Sequence, residues 1–163
     1  VGQEYLQNVL DTAKQLDAYD SGRIYYYLGE YQKAYLALDE ARDKGGADSY
    51  LYLGRAYAAT GDYNYASSVY NNYLSKQGPN AEIYNELGLC EMAKKEYQNA
   101  LAAFQAGKQI EGNSLMQTLC FNEIVAYEYL EDYQQAEILM NAYLQNYPDD
   151  QTAIREQQFL STR

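Results

Sequence analysis

Glu82 and Glu86 stand four residues apart, one turn of a helix. Two carboxylates at that spacing are able to share acid–base work. The same spacing occurs on any solvated helix face, and that is the reading the surrounding residues favour. The chain has no histidine. Histidine-based triads, general bases and metal ligands are therefore excluded. Cys90 and Cys120 are too few and too widely separated for a disulfide framework or a zinc site. A catalytic thiol needs an activating base, and none is evident. They read as reduced cysteines in helix packing, with a bond between them left open. Asp149-Asp150 follows Pro148 without an EF-type loop, so helix capping explains the pair better than calcium does. Gly45-Gly46 matches no phosphate-loop spacing and reads as an inter-helix turn. These residues point to no enzyme, no cofactor and no metal.

The elements that would carry a function are helices. Only two prolines occur, Pro79 and Pro148, and good helix formers are plentiful. Twenty-one tyrosines stand against three phenylalanines and no tryptophan. A tyrosine packs its ring while its hydroxyl reaches water, which suits thin structures with few fully buried positions. The 163 residues carry 23 acidic against 12 basic side chains, a net charge of −11. Such a balance repels phosphate backbones and anionic lipid, so no nucleic acid is expected as partner. No apolar run approaches the roughly 20 residues of a membrane span, so no direct membrane insertion by this segment is expected.

A motif of acid-Tyr-x-x-Ala recurs four times: Glu30-Tyr31 with Ala34, Asp62-Tyr63 with Ala66, Glu96-Tyr97 with Ala100 and Asp132-Tyr133 with Ala136. The tyrosines are 32, 34 and 36 residues apart. Four residues past each alanine stands a larger apolar side chain: Leu38, Tyr70, Phe104 and Met140. Upstream, Tyr50-x-x-Leu53-Gly54 recurs as Tyr84-x-x-Leu87-Gly88. Tyr50, Leu53 and Tyr57 share one helix face, and Thr60-Gly61-Asp62 breaks that helix and caps the next. Asn80 reads as a further cap. Gly54, Gly88 and the four alanines allow close helix approach.

This pattern resembles the tetratricopeptide repeat, from about Leu16 to Asp150. Two copies depart from it: the first has Ser21-Gly22 and the fourth Glu123-Ile124 where Leu-Gly is expected. The resemblance implies an all-α fold, an α-α superhelix of about four helix pairs plus N- and C-terminal helices. Over residues 1–163 it implies one array, with repeats at about 15–46, 47–80, 81–114 and 115–149. An amphipathic N-terminal helix is expected over about 3–16, with Leu6, Val9, Leu10, Ala13 and Leu16 inward. It is either the second helix of an earlier unit or continuous with the first helix through Ser21-Gly22. A polar capping helix is expected over about 150–161.

In this family the first helix of each pair lines a concave groove. Carried over by position, the groove comprises Tyr19, Arg23, Tyr26 and Tyr27, then Leu51, Arg55, Ala58 and Ala59. Asn85, Leu89, Met92 and Ala93 follow, and then Phe121, Val125, Glu128 and Tyr129. Arg23 and Arg55 occupy corresponding places and would form a positive spot able to grip a carboxylate. Equally open is local pairing with Asp20 or Glu86. Some relatives clamp chaperone C-termini with lysine, asparagine and arginine. The matching residues here are Tyr19, Arg23, Tyr52, Glu82 and Glu86, and two glutamates would repel a terminal carboxylate. Shifted by one unit, Leu51, Arg55, Glu86, Thr118 and Asn122 match no better, so that specificity is not expected.

The implied function is a non-catalytic protein–protein interaction scaffold whose partner, a protein or peptide, carries acidic groups. An alternative is a structural or assembly segment of a larger, membrane-anchored bacterial cell-envelope protein. The chain opens on Val1-Gly2 rather than Met. A targeting segment removed before Val1 is one expectation, and the compartment stays open. A monomer is expected, or a weak homodimer through outer-face tyrosines such as Tyr65, Tyr73 or Tyr143.

Overall fold

The computed structural model describes residues 2–12 and 16–163. Among them the chain is helical, with no strand. It divides into two compact units, Val1–Gly78 and Pro79–Arg163. The first holds α1 (Gly2–Thr12), α2 (Ala18–Leu28), α3 (Tyr31–Asp43), α4 (Ser49–Ala59) and α5 (Tyr63–Gln77). The second holds α6 (Ala81–Ala93), α7 (Tyr97–Lys108), α8 (Met116–Tyr129), α9 (Tyr133–Asn146) and α10 (Gln151–Leu160). Within each unit successive helices pack on one another.

The acid-Tyr motif starts the second helix of every pair. Its aspartates cap: Asp62 accepts from the Tyr65 N–H at 3.1 Å and Asp132 from the Gln135 N–H at 3.1 Å. Glu30 and Glu96, one methylene longer, make no side-chain cap. Asn80 accepts from the Ile83 N–H, and Asp150 from the N–H groups of Thr152 and Ala153, as expected of both.

The residue before each acid is left-handed, with φ of 78° at Gly29, 85° at Gly61, 64° at Lys95 and 62° at Glu131. In all four turns the following acid donates its N–H to a carbonyl five residues back: Tyr25, Tyr57, Glu91 and Tyr127. That bond closes the helix end. The first two turns use the residue suited to positive φ, and the last two do not.

Helix pairs close by matching sizes sixteen residues apart. A Cβ on Gly22 would meet Leu38, one on Gly54 the Tyr70 ring and one on Gly88 the Phe104 ring. Leu38, Tyr70 and Phe104 are fully buried there. The fourth pair inverts the solution: Ile124 replaces glycine, and Met140 replaces the ring within one buried cluster. The departure Glu123-Ile124 is thus compensated. Glu123, buried where leucine is expected, is held by the Lys108 ammonium and by Gln105 Nε2 at 2.9 Å.

Three expectations need correction. Tyr143 is 4% exposed rather than part of an outer face, because its ring packs on Phe121 and Tyr147 and its hydroxyl donates to Asp150 at 2.6 Å. Tyr73 is half-buried against Tyr50, whereas Tyr65 is exposed. The N-terminal helix is described over Gly2–Thr12, and residues 16 and 17 are not helical, so it does not run unbroken into α2; Asp17 caps α2 instead. Leu6, Val9 and Leu10 are half-buried, and Ala13 lies outside the described residues.

Candidate functional site

In the first unit the sequence-derived residues converge on a ring that periodicity did not single out. Tyr52 is 9% exposed and belongs to the core. The Tyr19, Tyr26 and Tyr27 rings lie edge-on to it at 6.2, 5.7 and 5.9 Å between centroids. Its hydroxyl meets that of Tyr27 at 3.0 Å. Arg23 Cζ lies 5.0 Å from the Tyr52 centroid and Arg55 Cζ 5.5 Å from it. Arg23 also sits 5.3 Å from the Tyr19 ring. Two guanidiniums on one ring are held by its negative face. Leu51 packs on the same cluster.

Arg23 approaches Asp20 at 3.9 Å, with both side chains substantially exposed. Such a surface pair contributes little. Arg23 Nε is buried without a hydrogen-bond partner among the described residues. Burial and the neighbouring charges raise the Tyr19 phenol above its ordinary range, with Arg23 pulling the other way. The ring therefore stays neutral at physiological pH. Tyr52 lies three residues before Arg55, on the same helix face, and that spacing was the available signal.

In the second unit the candidates fall in three places. Asn122 Nδ2 donates to Asn85 Oδ1 at 2.9 Å, which ties α8 to α6. Leu89 is 44% exposed, an apolar side chain facing solvent, while Met92 packs on a buried cluster. Phe121 lines a cleft of about 310 Å³ with Gln117, Thr118, Asn122, Tyr143, Asp150 and Thr152. Val125 is half-buried. Glu128 and Tyr129 lie elsewhere, in a cleft at the end of α8 with Glu131, Tyr133, Glu156 and Phe159. The last four were not singled out, because they come from a turn and two other helices. Ala58 is half-buried, and Ala59 and Ala93 are exposed.

The remaining chemistry is quiet. Cys90 and Cys120 are free thiols. Burial, with Glu86 and Glu91 adding, pushes the Cys90 thiol up to about 12, far from a nucleophilic thiolate. Among the described residues no helix is long and apolar enough to cross a membrane.

The tetratricopeptide repeat model matches residues 19–64 and 53–113, together more than half of the chain. This chain belongs to the tetratricopeptide repeat family. No curated protein matches its sequence. Solved structures match its fold. A crystal structure of MamA protein superposes with a TM-score of 0.77 at 19% identity, covering 88% of this chain and 78% of that one. MamA 41-end from Desulfovibrio magneticus RS-1 gives 0.76 at 18% identity, covering 99% and 84%. The second tetratricopeptide domain of human RPAP3, solved by NMR in complex with the HSP70 peptide SGPTIEEVD, gives 0.60 at 16% identity, covering 68% and 90%. At these identities the likeness is one of fold. Membership of the tetratricopeptide family assigns the array a general role as a scaffold for protein–protein interaction.

Proposed function

We propose that the chain is a non-catalytic scaffold that binds an extended peptide or partner segment bearing acidic groups, with Arg23 and Arg55 receiving a carboxylate. One observation carries this reading: both guanidiniums lie on the Tyr52 ring, on a molecule whose net charge is −11. A positive spot on an acidic protein selects a negative group and repels the rest of the acidic chain least. The buried Nε of Arg23 has a hydrogen bond to offer. A carboxylate takes two parallel bonds from a guanidinium fork, a geometry that lysine does not provide.

The rings of Tyr19, Tyr26 and Tyr27 and the Leu51 side chain surround the arginines with rigid, amphipathic contact area. Such composition is enriched at protein interfaces. Within the second unit, taken by itself, Leu89 offers an exposed apolar contact. The related RPAP3 domain, whose bound HSP70 peptide SGPTIEEVD is acidic, offers support at the level of ligand class.

The test is fluorescence anisotropy with a panel of labelled acidic peptides and their glutamine and asparagine counterparts. Peptides bound by the wild type should lose at least about tenfold in affinity in an Arg23→Glu, Arg55→Glu double variant, the loss of one or two charge-assisted bonds. Equal affinity of the double variant, or equal affinity for neutralised peptides, would overturn the assignment.

A further inference from the structure

A chemically opposite surface, a cleft lined by acids and rings, lies within the second unit. A cleft of about 420 Å³, open to solvent, is formed by the end of α8, the α8–α9 turn, the start of α9 and α10. Three carboxylates line it, Glu128, Glu131 and Glu156, together with three rings, Tyr129, Tyr133 and Phe159. Tyr129 is fixed from behind by stacking on Tyr97, with centroids 5.0 Å apart. The Oε1 atom of Glu128 is buried and has no hydrogen-bond partner among the described residues.

The chain itself shows what this surface accepts. Arg163, three residues past α10, lays its guanidinium carbon 4.4 Å from the Phe159 centroid and 5.8 Å from that of Tyr133. Both rings line the cleft. A guanidinium is planar, stacks on aromatic faces and presents a fork to carboxylates. Rings and acids around one cleft match each part of that group. An ammonium would use the charge but not the stacking.

We infer that this cleft binds an arginine side chain of a partner polypeptide, with the chain's own Arg163 resting on its aromatic edge and competing for it. The incoming guanidinium stacks on Phe159 and Tyr133 and donates to the Glu128 and Glu156 carboxyls. Polypeptide is the favoured source because the cleft is open on one side: a long side chain enters while its backbone stays outside. Electrostatics strengthen the argument. Burial, and then the charge and hydrogen bond of Glu156, raise the Glu128 carboxyl to about 7. A bound cation relieves that crowding. The groups facing Glu128 are Glu156 from α10, Glu131 from the turn and the Tyr129 and Tyr133 phenols, with Arg163 at the edge. This inference stands apart from the carboxylate site on Arg23 and Arg55, since no residue is shared.

The experiment is an amide-shift NMR titration of the 163-residue chain with acetyl-Gly-Ser-Arg-Ser-Gly-amide and with the same peptide carrying citrulline. Saturable shifts should centre on Tyr129, Tyr133 and Phe159 for the arginine peptide and be at least about fivefold weaker for citrulline, which is isosteric but uncharged. Glu156→Gln, on a half-exposed residue, should weaken binding by about fivefold or more. Arg163→Ala should tighten it, because the internal competitor is gone. Binding should be tighter at pH 8 than at pH 6. Equal shifts with citrulline, shifts centred elsewhere, or affinity unmoved by both Glu156→Gln and Arg163→Ala would overturn the proposal. The Arg23→Glu, Arg55→Glu variant should bind this peptide as the wild type does.

Discussion

The Arg23 guanidinium sits 5.0 Å from the centre of the Tyr52 ring, and Arg55 approaches that ring at 5.5 Å. Tyr52 is thus both core residue and platform. Tyr52→Ala should cost about 3 kcal/mol through the lost ring volume. Tyr52→Phe keeps the ring and loses the bond to the Tyr27 hydroxyl, for about 1 kcal/mol. Urea denaturation of both variants separates packing from hydrogen bonding. Arginine-dependent peptide binding should survive in Tyr52→Phe and fail in Tyr52→Ala.

Gly88 and Phe104 form a complementary pair, since a Cβ on Gly88 would strike the ring. Gly88→Ala should destabilise by about 1–3 kcal/mol, although alanine is the better helix former. Adding Phe104→Met, which follows the Ile124–Met140 pair of the fourth repeat, should recover part of the loss that Gly88→Ala causes. A double-mutant cycle with thermal melts measures the coupling.

Lys95 holds φ of 64° at the turn position where the first two repeats carry Gly29 and Gly61. A left-handed non-glycine residue costs roughly 1–2 kcal/mol. Lys95→Gly should therefore stabilise the chain by about 1 kcal/mol. A higher urea midpoint with unchanged slope is the expected result, and a lower one would refute the strain.

Glu123 is buried and paired with Lys108. Burial pulls the Lys108 ammonium down, but the bond to Glu123 and its charge outweigh this and hold it above its ordinary value. Lys108→Met leaves a buried carboxylate short of its cation and should cost about 3 kcal/mol. Replacing both, with Glu123→Leu and Lys108→Met, restores the leucine of the repeat and should be close to neutral. Chemical denaturation of the three variants tests the asymmetry.

Glu128 gives the chain a pH dependence of known sign. Its folded carboxyl lies at about 7, above the ordinary 4.5. The native state therefore holds the proton more tightly than the unfolded chain does. This contribution is complete below about pH 4.5 and is lost as pH rises through about 7. Glu128→Gln removes the penalty. The variant should exceed wild type by about 1 kcal/mol at pH 8, a figure discounted for solvent screening, and the gap should narrow towards pH 5. Urea midpoints across that range provide the check.

Period, turns and caps were legible along the chain because each is a local matter. Asp62, Asn80 and Asp150 cap helices through atoms two or three residues away, and the acid-Tyr-x-x-Ala motif marks the second helix of every pair. The family follows from that register. The encounters between distant residues were not legible. Tyr52 becomes a platform because α2 and α4 pack side by side, and nothing near position 52 announces Arg23. Glu128, Glu156 and Phe159 meet only once α10 docks on α9, and Tyr143 is buried by rings of α8 and of the chain just past α9. Helix periodicity assigns a face to each side chain. Which neighbour covers that face depends on sizes, such as glycine against tyrosine or isoleucine against methionine, matched across helices and settled by packing.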